Sequence, residues 1–407
     1  MRARRTMGQL AIASGVAVSV LAVCCGWPDY QLRTAGTDAG DAEPEAAPLE
    51  DAAPYDVPVA FCNDGGLRSG EAVLCACSGA PLDDAGDAEV GPIGHQTCTL
   101  EGGVGACVGC PPTTACDTVT APPGMTCVPG GVAVLGASNL NVCPPAGCAV
   151  EQPEHSVALT RFFLDEREVS VKRFRDWWRN GHVTPKPGDV IFTAGDGITV
   201  TWQESWTPTE PVVRDDANAA TWLGADVPDN DALPINFVDW PTALAFCAST
   251  ISGGRLPTEA EWEAAASGRE GRLFPFSAPG SRNDAPTAAM LPCSRANSAA
   301  GGSECGPPVA PTSSPDRMSR DGAWDLAGSL AEWVIDVPPP GALSCPGNCY
   351  PTTPSADPVL FVAEIAKRGV RGGAWNDTQP RSLRAQARDF RPLTDKTSAI
   401  GFRCVKR

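Results

Sequence analysis

GGRLPTEAEWEAAA, residues 253–266, carries the strongest local signal in the chain. Thr258 followed three residues later by Glu261 forms a capping-box pattern, Pro257 precedes it and Gly268 closes it, so a helix is predicted between Thr258 and Gly268. Trp262 is expected to face a core, while Arg255, Glu259, Glu261 and Glu263 read as capping and ion-pairing residues rather than general acids or bases. Upstream, Asp239-Trp240-Pro241 pairs an acidic cap with an early proline and starts a second helix that carries Ala243, Leu244, Phe246 and Cys247 inward. Further back, Ser170 caps a third helix placing Val171, Phe174, Trp177 and Trp178 on one face before Gly181 ends it.

Short alternating stretches at Gly131 to Gly136 and Glu151 to Asp165 suggest strands. After Gly268 the chain is rich in Pro and Gly until period-2 patterns resume at Leu383, Ala385 and Ala387 and at Ile400, Phe402 and Cys404. These elements make an α+β domain of low regular secondary structure over residues 127–407.

The 407-residue chain has 40 prolines, 42 glycines and a formal net charge of -17, which argues against nucleic acid and anionic membrane surfaces as partners. Met1 to Arg5 holds three arginines and Leu10 to Val23 is apolar, so residues 1–24 read as a signal peptide too short to span a bilayer. Leu21-Ala22-Val23-Cys24 is a weak lipobox, which leaves two outcomes: a lipoprotein anchored through Cys24, or simple secretion. Either makes the protein extracytoplasmic, with membrane contact only through the lipid.

Residues 25–60 are Ala, Asp, Glu, Pro and Gly with few large apolar groups, and a disordered acidic linker is expected. Residues 61–126 begin a cysteine-rich block, in which the ten cysteines from Cys62 to Cys148 suggest small hairpins stapled by disulfides. A zinc site at Cys107 and Cys110 is the alternative there.

Beyond composition, six segments run in a definite order. They are Glu151-Gln-Pro-Glu-His155-Ser-Val-Ala-Leu-Thr-Arg-Phe162, Pro234 to Trp240, Arg255 to Glu263, Gly322 to Trp333, Arg371 to Ala374 and Gly401-Phe-Arg403. In content and order they resemble the formylglycine-generating enzyme, or sulfatase-modifying-factor, family. The resemblance implies that family's variant of the C-type lectin-like fold. It also implies a disulfide between Cys247 and Cys404, whereas the second bridge of some members is replaced by Ala266 and Ala385.

In the resembling family, the loop matching Asp325, Gly328, Leu330 and Glu332 binds calcium through its first and last side chains and two carbonyls. A structural calcium and a metal-free turn are both open here. Asn297 resembles a ligand of a second calcium, but Gly301 to Cys305 does not match the partner segment.

Active aerobic members bind copper(I) through two cysteines after the R-G-G-S motif and oxidise a substrate cysteine. Between Cys349 and Cys404 this chain has none, and the matching positions fall at Asp377 and near Ser382. Copper is therefore not expected.

The residues implied to line the matching cleft are Arg371, Trp375, Asp377, Arg384 and Arg388, with surface or interdomain ion pairing as the alternative for the clustered arginines. The expected function is binding or envelope scaffolding by a monomer with a protein or peptide ligand. Formylglycine-generating oxidation and another reaction on the same fold are the alternatives. His95, His155 and His182 show no iron-binding cluster and no nucleophile beside them; His155 reads as structural and His182 as solvated.

Overall fold

The computed structural model describes residues 72–76, 93–97 and 115–407, apart from 138–148, 152–153, 196, 212–218, 269–270, 302–304, 308–313 and 340–354. The signal peptide, Cys24, the acidic linker, Cys107 and Cys110 lie outside the described residues.

In chain order the strands before the first helix are β1 (Ala72–Ala76), β2 (Ile93–Thr97), β3 (Met125–Val128), β4 (Gly131–Leu135), β5 (His155–Leu159) and β6 (Phe162–Asp165). Helix α1 (Val171–Arg179), strands β7 (Val190–Thr193) and β8 (Thr199–Thr201), helix α2 (Trp240–Thr250), β9 (Gly254–Arg255) and α3 (Glu259–Ser267) follow. The chain ends through β10 (Ala331–Trp333), β11 (Ser355–Ala356), β12 (Lys367–Arg371), β13 (Asp389–Pro392), β14 (Ile400–Gly401) and β15 (Val405–Lys406).

All three helices start as their caps dictate. Ser170 accepts from the Arg173 amide and Asp239 from the Thr242 amide. At α3 both halves of the Thr258/Glu261 capping box form, and Gly268 takes a φ of 63° where an L side chain would be strained.

Among the described residues three small sheets frame the helices, with strand orders β13-β12-β10-β14, β11-β5-β4 and β3-β6-β15-β9; β1-β2 and β7-β8 form separate two-stranded pairs. Sequence-distant strands meet in each sheet, as where Glu332 of β10 lies opposite both Arg371 of β12 and Gly401 of β14. Aromatic rings interlock at the centre of a core that aliphatic side chains fill around them. Phe174 packs edge-on to Trp177 and Trp222, and Phe246 to Trp177 and Phe402. His182 leaves α1 at a φ of 35° and stacks on Trp178 at 4.2 Å, so it is held by an aromatic face rather than simply solvated.

Disulfides tie loops to this frame: Cys247 to Cys404, Cys116 to Cys127 of β3, and Cys293 to Cys305. The first is the bridge that the family resemblance implies. Ala266 and Ala385 both lie buried in one apolar cluster, so methyl packing stands where some relatives have sulfur.

One expectation needs correction. Residues 384–388 do not form a strand despite the alternation of Leu383, Ala385 and Ala387; a 3₁₀ turn spans Pro380–Leu383 and irregular backbone follows. The carbonyls of Ala385, Gln386 and Ala387 instead converge on the Arg371 guanidinium, at 3.0, 3.2 and 2.7 Å. Three successive carbonyls cannot face one cation from a pleated strand, whose carbonyls alternate in direction.

Candidate functional site

Helix α3 places three acids inside the protein, and every residue from Glu259 to Ser267 is buried. A buried carboxylate is costly unless its lone pairs are filled and its charge is balanced. Glu263 meets both needs. Its Oε1 accepts from Gly136 N at 2.7 Å and Arg282 Nη1 at 3.1 Å, and its Oε2 from Arg371 Nη2 at 2.6 Å and Arg388 Nη2 at 3.1 Å. These four donors match the roughly four acceptor sites of a carboxylate. Burial alone would raise its pKa, but Arg371, Arg388 and Arg282 overcome that and hold it at about 2.

Glu261 repeats the solution with a fork from Arg255 at 2.6 and 2.7 Å and a further bond from Arg407 at 3.0 Å. Burial is again overridden, chiefly by Arg255, and the pKa falls to about 2. Glu259 pairs with Arg388 Nε at 3.0 Å. Beside it, Asp336 accepts from the Glu259 and Leu360 amides, both at 2.8 Å, and burial together with the Glu259 charge pushes its pKa up to about 7.

This network relocates the arginines expected to line a cleft. Arg371, Arg384 and Arg388 are buried: Arg384 bonds both oxygens of Glu151, at 2.9 and 2.8 Å, and the other two serve α3. The burial of Glu151, Glu259 and Glu263 draws the guanidiniums inward. Asp336, Arg282 and Glu168 carry no local sequence signal, because each finds its partner through the fold; Glu151 opens a family-resembling segment, but its pairing with Arg384 is set by the fold as well.

Asp377 and Ser382 are brought together. Gly373 has a φ of 65°, and a Cβ there would meet the Ser382 carbonyl at 2.8 Å and Asp377 Oδ2 at 3.0 Å, so only glycine fits between them. Asp377 Oδ2 accepts from Ala374 N at 2.7 Å, and its carbonyl accepts from Ser298 Oγ at 3.0 Å. Burial raises the Asp377 carboxyl above its ordinary pKa. Trp375 is half-buried and donates its indole N–H to the Ser398 carbonyl at 3.1 Å.

The loop before β10 turns through Asp325, Gly328 and Ser329 at φ values of 58°, 83° and 62°. Glu332 accepts from Arg403 Nε and Nη2 at 2.7 and 2.6 Å and from the Trp262 indole at 2.8 Å. Asp325 accepts from Arg317 at 3.3 Å. Glu168 adds a third buried carboxylate, bonded to Ser329 Oγ and Leu330 N, and its pKa is driven well up by burial and by repulsion from Glu332 and Asp325.

Asn297 lies against the loop, giving its carbonyl to Ser329 N at 2.8 Å, while its buried Oδ1 has no hydrogen-bond partner among the described residues. Hard oxygens, an orphaned amide oxygen and mutual acid repulsion suit a cation such as calcium. Among the described residues no three His, Cys, Asp or Glu side chains form a metal-binding group, so backbone carbonyls would have to complete the set.

The order of motifs and the Cys247–Cys404 bridge are those that the family resemblance implies. A family model for the sulfatase-modifying factor enzyme 1-like domain matches residues 112–407. The chain belongs to this family.

Its sulfatase-modifying-factor domain is 28% identical over 306 residues to the formylglycine-generating enzyme of Streptomyces coelicolor, spanning 69% of this chain and 88% of that one. It is 24% identical over 296 residues to the inactive C-alpha-formylglycine-generating enzyme 2 of Mus musculus, spanning 70% of this chain and 85% of that one. The solved structure of PvdO from Pseudomonas aeruginosa aligns with a TM-score of 0.47 at 20% identity, over 70% of this chain and 94% of that one. Relatives of the domain thus include proteins named as active and as inactive. Among the described residues no helix is long and apolar enough to cross a membrane.

Proposed function

We propose that this sulfatase-modifying-factor domain, read as a variant of the C-type lectin-like fold, binds or scaffolds in the cell envelope and does not carry out copper-dependent oxidation. One observation carries the reading: at the positions to which the family's thiols map stand Asp377 and Ser382, and the Asp377 carboxylate and the Ser382 backbone carbonyl both lie against Gly373. Copper(I) needs soft thiolate ligands, and a hard carboxylate beside a serine does not replace them. The likeness to a relative named inactive supports the same reading.

Purified protein given copper(I), oxygen and a sulfatase peptide containing the target cysteine should form no aldehyde above the peptide-only control by mass spectrometry. Aldehyde formed with turnover would establish the oxidase reading instead. The ligand is proposed to be a protein or peptide.

Calcium is proposed as a structural ion held by the side chains of Asp325 and Glu332 and the carbonyls of Gly328 and Leu330, where it would offset the acid repulsion around Glu168. At a calcium concentration 100 times the dissociation constant, about 2.7 kcal/mol of added stability is expected relative to chelator. Asp325→Ala should abolish that difference in thermal denaturation. An equal melting temperature with calcium and with chelator would identify a metal-free turn.

Export with lipid on Cys24 is proposed from the leader. Expressed in a bacterium, the full chain should enter the detergent phase of a phase-separation assay and Cys24→Ser the aqueous phase; aqueous partition of both would show simple secretion.

A further inference from the structure

We propose that the Cys293–Cys305 disulfide is a redox-sensitive staple whose reduction loosens the wall shared by the Asp377 segment and the Asp325 to Glu332 loop. Three independent links join the Cys293 side of the staple to those two segments. Ser298 Oγ donates to the Asp377 carbonyl at 3.0 Å, and Ala299 N donates to the Trp375 carbonyl at 2.9 Å. The Asn297 carbonyl accepts from Ser329 N at 2.8 Å, with Asn297 and Gly328 paired in an isolated parallel bridge. Finally, one guanidinium straddles both sides: Arg317 donates to the Cys293 and Ser294 carbonyls and to Asp325 Oδ1.

Accessibility separates this bond from the core disulfide. Cys293 and Cys305 are both partly exposed, whereas Cys247 and Cys404 are fully buried. Exchange requires a thiolate to reach sulfur, so exposed disulfides are the labile ones. An external dithiol attacks one sulfur, forms a mixed disulfide and is displaced by its own second thiol. It leaves as a disulfide, and Cys293 and Cys305 each gain a hydrogen.

The dithiol form also finds a partner already in place, because Cys305 Sγ lies 3.0 Å from the Ser298 carbonyl. A thiol donates to that oxygen and a disulfide sulfur does not. Reduction therefore removes the covalent closure of the loop while offering a weak local bond in exchange.

The test uses the full chain under native conditions. Millimolar dithiothreitol followed by alkylation and mass spectrometry should label Cys293 and Cys305 at least ten times faster than Cys247 and Cys404. Amide hydrogen exchange in peptides covering 296–299, 328–329 and 374–377 should rise at least ten-fold on reduction. In the Cys293→Ser/Cys305→Ser variant those amides should already exchange fast, with no further response to reductant.

Equal resistance of the two bonds, reduction without faster exchange, or a variant that still responds to reductant would each overturn the proposal. If the variant does not fold, the labelling and exchange arms on the native chain still decide.

Discussion

Glu263→Ala should destabilise the domain by about 3–5 kcal/mol, the cost typical of breaking a buried ion pair from one side. Alanine would leave Arg282, Arg371 and Arg388 around a hole, with the Gly136 amide also losing its acceptor. None of the three guanidiniums can lose its charge in compensation. Glu263→Gln should recover little of the loss, since it restores volume but not charge. Urea denaturation measures both variants, and a loss below about 1 kcal/mol for alanine would show that the guanidiniums rearrange onto other acceptors.

The same groups shape the pH response. Glu261 and Glu263, held at about 2 against an ordinary 4.5, contribute stability above the ordinary value that is lost as pH falls toward 2. Asp336, raised from 3.8 to about 7, acts in the opposite sense: its contribution is full below 3.8 and is lost as pH rises through 7. The unfolding midpoint should therefore peak in mild acid, fall steeply below pH 4 and decline more gently toward neutrality. A flat profile from pH 3 to 8 would contradict this assignment.

Removing the Cys247–Cys404 bridge by paired alanine substitution is the second large expected effect, at about 4–5 kcal/mol by the chain-entropy argument for a long closed loop. The bond joins positions 157 residues apart and ties the C-terminal half of α2 to the segment between β14 and β15. Both cysteines are fully buried within the main hydrophobic core, so two small cavities would add to the loss. Thermal unfolding of the variant against the native chain checks it; a change of only a few degrees would mean that the packed aromatics hold the two ends together without the bond.

Much of the scaffold was legible because the signals are local. A capping box needs only Thr258, Glu261 and the helix between them, and the starts of α1 and α2 likewise lie within a few residues of Ser170 and Asp239. The lack of thiols between Cys349 and Cys404 is also a fact of sequence, and it bears on chemistry whatever the fold.

The meaning of the arginines was not legible. Arg371, Arg384 and Arg388 stand in the segment that matches the family cleft, and a row of cations there reads either as a ligand-facing surface or as ion pairs at the surface or between domains. Their carboxylate partners lie 108 to 233 residues away in the chain. Nor does a hydrophobic pattern reveal α3 as buried on all sides, because its inward groups are charged. Alternation at 383–387 was misleading for a related reason: the guanidinium of Arg371 gathers three carbonyls that a strand would point in opposite directions.

By itself, then, the sequence determined where helices begin and end, which family the motifs resemble and which thiols are missing, since each rests on neighbouring residues or on residue identity. Only the tertiary structure decided that the glutamates of GGRLPTEAEWEAAA are interior anchors: Glu261 meets Arg255 within the stretch, but Glu259 and Glu263 take the charge that stabilises a buried carboxylate from Arg282, Arg371 and Arg388, which the fold returns to them from elsewhere in the chain.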